Sequence, residues 1–209
     1  MKKILMLTTG GTIASLPSEE GLAPTGADTI LSHMGPSAAN YDITTQEILT
    51  LDSTNIQPEE WKIIAGAIYK NIRLYDGIVV THGTDTMAYT ASMMSFMLRN
   101  VPIPVVFTGS QVPIASPLSD APLNLTCAFA MAASATPGIF VAFDRKIMLG
   151  CRSVKVRTTA FDAFESVNYP YAGVVDSSGL NLDRSVIPPQ RGECVLEDTV
   201  DSDVYLLKL

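Results

Sequence analysis

A three-layer α/β/α fold with a mostly parallel central sheet is the class this sequence predicts, and three observations predict it. Short apolar runs that read as buried strands alternate with longer segments of helical period. Two of the runs end in turns rich in glycine and threonine, where open α/β sheets build their sites. The chain has 209 residues and 47% hydrophobic content, enough to bury one full core and the start of a second.

The first strand is expected over residues 3–7, where Ile4-Leu5-Met6-Leu7 runs into Gly10-Gly11. Residues 16–27 are rich in Pro, Gly, Ser and Glu without periodicity, which predicts a mobile loop. A helix is expected over 58–74: Pro58 and two glutamates suit its amino end, and Trp61, Ile64, Ala65 and Ile68 share one face. The second strand is 78–81. A helix follows over 84–98, with Thr84 as N-cap, Asp85 in the first turn, and Met87, Ala91, Met94 and Leu98 at helical spacing. These methionines read as core filling rather than a functional cluster. Strands at 105–108 and 139–143 flank a helix over 122–133, and Asp144-Arg145 reads as the turn of a hairpin to 146–149. The tract 176–203 is polar and contains Ile187-Pro188-Pro189, as an interdomain linker would. Val204 to Leu209 then reads as a strand with no cover to follow. The expected organisation is therefore a first domain over 1–180, a linker over 181–203, and over 204–209 the first strand of a carboxy-terminal domain.

A formal net charge of −7 and a pI near 4.7 argue against a nucleic-acid surface, and no basic run is present. The apolar run after Met1-Lys2-Lys3 is too short for a signal-peptide core, and no stretch approaches the roughly 20 apolar residues of a membrane helix. A cytoplasmic protein is expected. Cys127, Cys151 and Cys194 are odd in number and widely spaced, which fits reduced thiols better than disulfides or zinc.

Gly10-Gly11 lets the backbone turn sharply against a ligand, although neither G-x-G-x-x-G nor G-x-x-x-x-G-K-[ST] is completed around it. Thr12 is then a turn residue or a nucleophile held beside a catalytic group. Thr81-His82-Gly83-Thr84-Asp85-Thr86-Met87 weights the choice toward chemistry, because Thr84 and Asp85 fall at an expected helix amino end whose N–H groups favour anions. An amide substrate bearing a carboxylate and an ammonium needs such donors together with a carboxylate such as Asp85. His82 could be a base, but one further histidine, His33, and no metal-ligand spacing favour a structural role.

With these segments in view, the sequence resembles the amino-terminal domain of the bacterial-type L-asparaginase family, nearest its cytoplasmic type I branch. Gly10 to Ser15 is similar to the family's first signature and Thr81 to Thr90 to its second. Asp52-Ser53-Thr54, Thr108-Gly109-Ser110-Gln111 and Ser119 to Leu125 also fit, and Lys155 lies six residues before Phe161-Asp162-Ala163-Phe164, as the family's catalytic lysine does. The likeness covers essentially the whole chain and implies a flavodoxin-like sheet. It implies that Thr12 attacks the side-chain amide of L-asparagine, releases ammonia and forms an acyl-enzyme that water hydrolyses to L-aspartate. Thr84, Asp85 and Lys155 would support it, with Lys155 relaying the proton. Backbone N–H groups in the turns of Gly11 and Gly83 would hold the oxyanion, at about 3 kcal/mol per donor. Asp52, Ser53 and Thr54 would grip the substrate's α-carboxylate and α-amino groups, joined by Thr84, Asp85 and Ser110. No metal or organic cofactor is implied, and a homodimer or homotetramer is. The family often places a tyrosine in the loop after the first signature; Leu22 stands at the comparable place here. The alternatives are an amide-binding or regulatory domain without catalysis, a glutaminase-asparaginase, or the asparaginase-like subunit of a tRNA-dependent amidotransferase.

Overall fold

A computed structural model describes residues 1–18, 21–24, 26–204 and 207, with the backbone alone described for 14–18 and 21–24. The apolar runs assemble into an eight-stranded sheet. Strand β1 (Lys2–Gly10) lies between β2 (Tyr41–Leu51) and β3 (Gly77–Thr81), and β4 (Pro104–Thr108) and β5 (Gly138–Phe143) follow, all parallel. Three antiparallel strands extend the sheet beyond β5: β6 (Lys146–Leu149), β7 (Gly173–Asp176) and β8 (Gly179–Leu182). The parallel part thus runs 2-1-3-4-5, the flavodoxin-like order, in which the chain reverses direction across the sheet between β1 and β3. Strands β3 and β4 are buried at every position, which is why they read as unbroken apolar runs.

Helices cover both faces. On one face α2 (Pro58–Asn71) and α3 (Met87–Met97) pack Ile64, Ile68, Met87 and Met94 against Leu5, Val80 and Phe107. On the other, α1 (Ala27–Ser32) and α4 (Ala121–Ala132) pack Ile30, Leu125 and Phe129 against Ile4, Met6 and Val106. Helix α2 begins with Pro58 after Gln57, whose backbone N–H donates to the Glu60 carboxylate at 2.7 Å, as the opening sequence predicts. It ends at Asn71, three residues before the expected end. At the β5–β6 hairpin Asp144 and Arg145 have φ of 45° and 61°, the left-handed pair of a type I′ turn.

Two segments differ from the sequence expectation, β2 had none attached, and the tract expected as a linker lies along the sheet domain. Helix α3 starts at Met87, with Thr86 as N-cap rather than Thr84. The Thr86 hydroxyl donates to the Ser53 carbonyl, and the side chains of Thr84 and Asp85 are engaged elsewhere. Strand β2, an edge strand with no expectation attached, alternates half-buried and exposed residues among threonines, so its apolar signal is weak. The segment expected as a loop over 16–27 contains a two-stranded ribbon, Ser15–Ser18 against Gly21–Pro24, in which Leu22 faces Pro17 across the ribbon. The Leu22 side chain lies outside what is described. The tract 181–203 is laid against the sheet domain: Val186 and Ile187 pack on the α1/α4 face, Cys194, Leu196 and Val200 on the α2/α3 face, and Val195–Leu196 pairs with Leu98–Arg99. Of the strand expected over 204–209, residues 205, 206, 208 and 209 lie outside the described residues.

Candidate active site

Three turns leave the carboxyl ends of β1, β3 and β4, at the point where the strand order reverses. Glycines let them touch backbone to backbone. Gly10 and Gly11 take φ of 100° and 81°, and the Gly11 N–H donates to the Leu51 carbonyl at 3.1 Å. A Cβ on Gly11 would lie 2.5 Å from the Cα and N of Gly83, and one on Gly83 would lie 2.5 Å from the Ser53 hydroxyl. A Cβ on Gly109 would strike the His82 carbonyl. The segments around Gly11, Ser53, Gly83 and Gly109 are therefore packed as one cluster, which a side chain at any of these three glycines would force apart.

Thr12 opens a single turn, Thr12–Ala14, and is half-buried. Lys155 ends the short strand Ser153–Lys155, paired antiparallel with Phe164–Ser166, and sits opposite the buried Phe164. Its ammonium donates to Thr84 Oγ1 at 2.8 Å and to Asp85 Oδ1 at 2.7 Å. The Lys155 side chain is 14% exposed and that of Asp85 59%, so the pair joins a sheltered cation to a carboxylate open to solvent. A sheltered cation needs such partners, and Lys155 has one charged and one neutral. A groove of about 410 Å³ opens on this flank, lined by Asp85, Tyr89, Ser153, Lys155, Arg157 and Thr158 among others; Thr12 and residues 52–54 lie outside it.

The turn at 52–54 abuts the same cluster. Asp52 accepts from the backbone N–H and hydroxyl of Thr54, at 2.9 and 2.8 Å, which holds its carboxyl below the usual carboxylate range. Ser53 is buried against Gly83, whereas Asp52 and Thr54 are exposed. Ser110 is buried and its hydroxyl donates to the Val112 carbonyl at 2.7 Å, within its own loop. Its neighbour Gln111 reaches Thr84 instead: Thr84 Oγ1 donates to Gln111 Oε1 at 3.1 Å. Gln111 closes the Thr108-Gly109-Ser110-Gln111 segment that fits the family, but the sequence assigns it no role.

His82 is fully buried, stacked edge-on to Phe107, and its Nδ1–H donates to the Gly83 carbonyl at 2.8 Å. Burial pushes its pKa down to about 4, the bond to Gly83 opposing this, so the ring is neutral at pH 7. Nε2 has no partner among the described residues. An unfolded histidine titrates near 6.5, so between pH 6.5 and 4 the unfolded chain binds a proton that the native chain does not. His82 thus contributes stability that is complete above pH 6.5 and lost as pH falls to about 4, a loss of about 3 kcal/mol. Urea midpoints at pH 7 and pH 4.5 should show the drop, and His82→Gln should flatten it; equal slopes in the two proteins would contradict the assignment.

Among the described residues no three His, Cys, Asp or Glu side chains gather to hold a metal ion, and no helix is long and apolar enough to cross a membrane.

Residues 3–188 match the family model described as Asparaginase, N-terminal. The chain is 48% identical over 209 residues to an L-asparaginase of Thermococcus kodakarensis, covering 99% of this chain and 63% of the relative. It is 38% identical over 199 residues to L-asparaginase 1 of Escherichia coli K12, covering 90% of this chain and 56% of that one. It is 34% identical over 217 residues to a subunit of the glutamyl-tRNA(Gln) amidotransferase of Archaeoglobus fulgidus, covering 98% and 52%. The solved structure of the thermostable L-asparaginase from Thermococcus kodakarensis superposes with a TM-score of 0.88, over 95% of this chain and 61% of that one. The chain therefore spans less than two thirds of the length of these relatives.

Proposed function

Because the chain belongs to the asparaginase family, we propose that it hydrolyses the side-chain amide of L-asparagine to L-aspartate and ammonia with Thr12 as the nucleophile. One observation carries the reading: Lys155 bridges Thr84 and Asp85 at 2.8 and 2.7 Å on a turn whose backbone meets that of Gly11. The Thr12 hydroxyl oxygen attacks the amide carbon, and backbone N–H groups of the glycine turns stabilise the oxygen that becomes negative, that of Gly11 excepted because it already donates to the Leu51 carbonyl. Collapse breaks the C–N bond, the Thr12 proton leaves with the ammonia, and an aspartyl ester remains. Water attacks that ester, gives up a proton to Lys155, which Thr84 and Asp85 hold in place, and returns Thr12 to its hydroxyl form. For Lys155 to accept that proton it first passes one of its own to Asp85 or to water.

The α-carboxylate and α-ammonium of the substrate belong at the 52–54 turn and beside Asp85. Discrimination against L-glutamine rests on one methylene, worth about 1 to 3 kcal/mol. The chemistry draws only on protein groups, and the three free cysteines suit a reducing, cytoplasmic compartment. A homodimer or homotetramer is the assembly we propose.

A second reading is an amide-binding domain without turnover. It is favoured by the groove beside Lys155, which Asp85 lines and Thr12 does not. Coupled detection of ammonia from L-asparagine, beside calorimetric titration with L-aspartate, separates the two. Steady ammonia release supports hydrolysis; binding of L-aspartate with no ammonia assigns the chain to binding.

A further inference from the structure

We propose that Gln111 is a positioning residue of this site, holding the Thr84 hydroxyl in one orientation with its proton on Gln111 and a lone pair toward Lys155. The proposal rests on the hydrolytic reading for its kinetic consequence but not for its geometry. Gln111 Nε2 lies 2.9 Å from the Thr158 carbonyl and 3.1 Å from the Ala160 carbonyl. Carbonyls only accept, so the NH₂ of the amide faces them and Oε1 faces Thr84. Oε1 in turn only accepts, so Thr84 donates to it at 3.1 Å. Lys155 must then be the donor to Thr84, as it is to Asp85. From the two loop carbonyls to the Asp85 carboxylate, every hydrogen bond has a single direction. A neutral residue with one acceptor and two donors can close this chain, and a residue lacking either cannot.

Gln111 is itself fixed. Its backbone N–H donates to the Asp120 carboxylate at 3.0 and 3.1 Å, and that carboxylate also accepts from Val112 N at 3.1 Å and Asn124 Nδ2 at 3.0 Å. Asn124 Nδ2 donates also to the Gly109 carbonyl at 3.0 Å, and its oxygen accepts from Asp144 N at 2.9 Å. The first turn of α4 thus braces the turn that carries Gln111. Through Thr158 and Ala160, Gln111 also clips down the loop that follows Lys155. Both partners of the Thr84–Lys155 contact are therefore referred to one amide.

The test compares wild type with Gln111→Met, which fills the same space without polar atoms, and Gln111→Glu, which keeps the acceptor and loses both donors. Three-bond couplings to the Thr84 methyl group report its rotamer without substrate. Thr84 should hold one rotamer in wild type and in Gln111→Glu, and average between rotamers in Gln111→Met. With L-asparagine, kcat of Gln111→Met should fall about 10–100-fold while KM stays within about twofold, and Gln111→Glu should recover part of the loss. A fixed Thr84 rotamer in Gln111→Met overturns the proposal, as does an unchanged kcat where wild type turns over. A wild type that releases no ammonia refutes the hydrolytic reading instead, and the rotamer comparison still decides the role of Gln111.

Discussion

Under the proposed hydrolysis, Lys155→Met is expected to lower ammonia release from L-asparagine by about 10²–10⁴-fold, the range that general acid–base groups supply. The reason is its position. Lys155 is the cation that touches both Thr84 and Asp85, and methionine fills the aliphatic path of the side chain without restoring either bond. The fold should survive the change, because a sheltered charge is being replaced by an apolar group and its partner Asp85 is open to water. Kinetics and a thermal melt on the same preparation check both halves. A loss below tenfold, with the melting point unchanged, would remove Lys155 from the chemistry.

Gly11→Ala carries the largest expected effect on the fold and the site together. The φ of 81° alone costs an L-residue about 1–3 kcal/mol, and the new Cβ would sit 2.5 Å from two backbone atoms of Gly83. Neither atom belongs to a flexible side chain, so the β1 and β3 turns must part. Thr12 follows Gly11 directly, and a displacement near 1 Å is enough to cost about 10²-fold in rate. Gly66→Ala is the matched control: Gly66 lies inside α2 with nothing within 4 Å of the added methyl carbon, and the change should stabilise by about 0.5–1 kcal/mol. Denaturant melts should therefore move in opposite directions for the two glycines. A Gly11→Ala protein as stable and as active as wild type would contradict the backbone contact on which the site is built.

The parallel core of the fold was legible because burial on both faces leaves its mark in composition. Strands β1, β3, β4 and β5 are unbroken apolar runs, and the Asp144-Arg145 turn announced the hairpin after them. Strand β2 escaped notice because an edge strand needs no continuous apolar sequence, and Ser153–Lys155 is too short to show a period. Thr84 illustrates a different limit. A threonine followed by an acid at the head of an apolar helix is what an N-cap looks like, and the sequence cannot show that the hydroxyl is engaged by Lys155, 71 positions further on. That meeting was accessible only through the family resemblance. Gln111 lies in a segment that fits the family, but its role depends on carbonyls of Thr158 and Ala160 that no motif marks.

Thr12, on the proposed mechanism, forms the bond to the substrate, and ammonia release from L-asparagine by wild type and Thr12→Ala, with acid-quenched samples mapped by mass spectrometry, tests this. Release that disappears in Thr12→Ala, together with an aspartyl adduct confined to the peptide holding Thr12, is the predicted result. Undiminished release by Thr12→Ala, or an adduct on another residue, would contradict it.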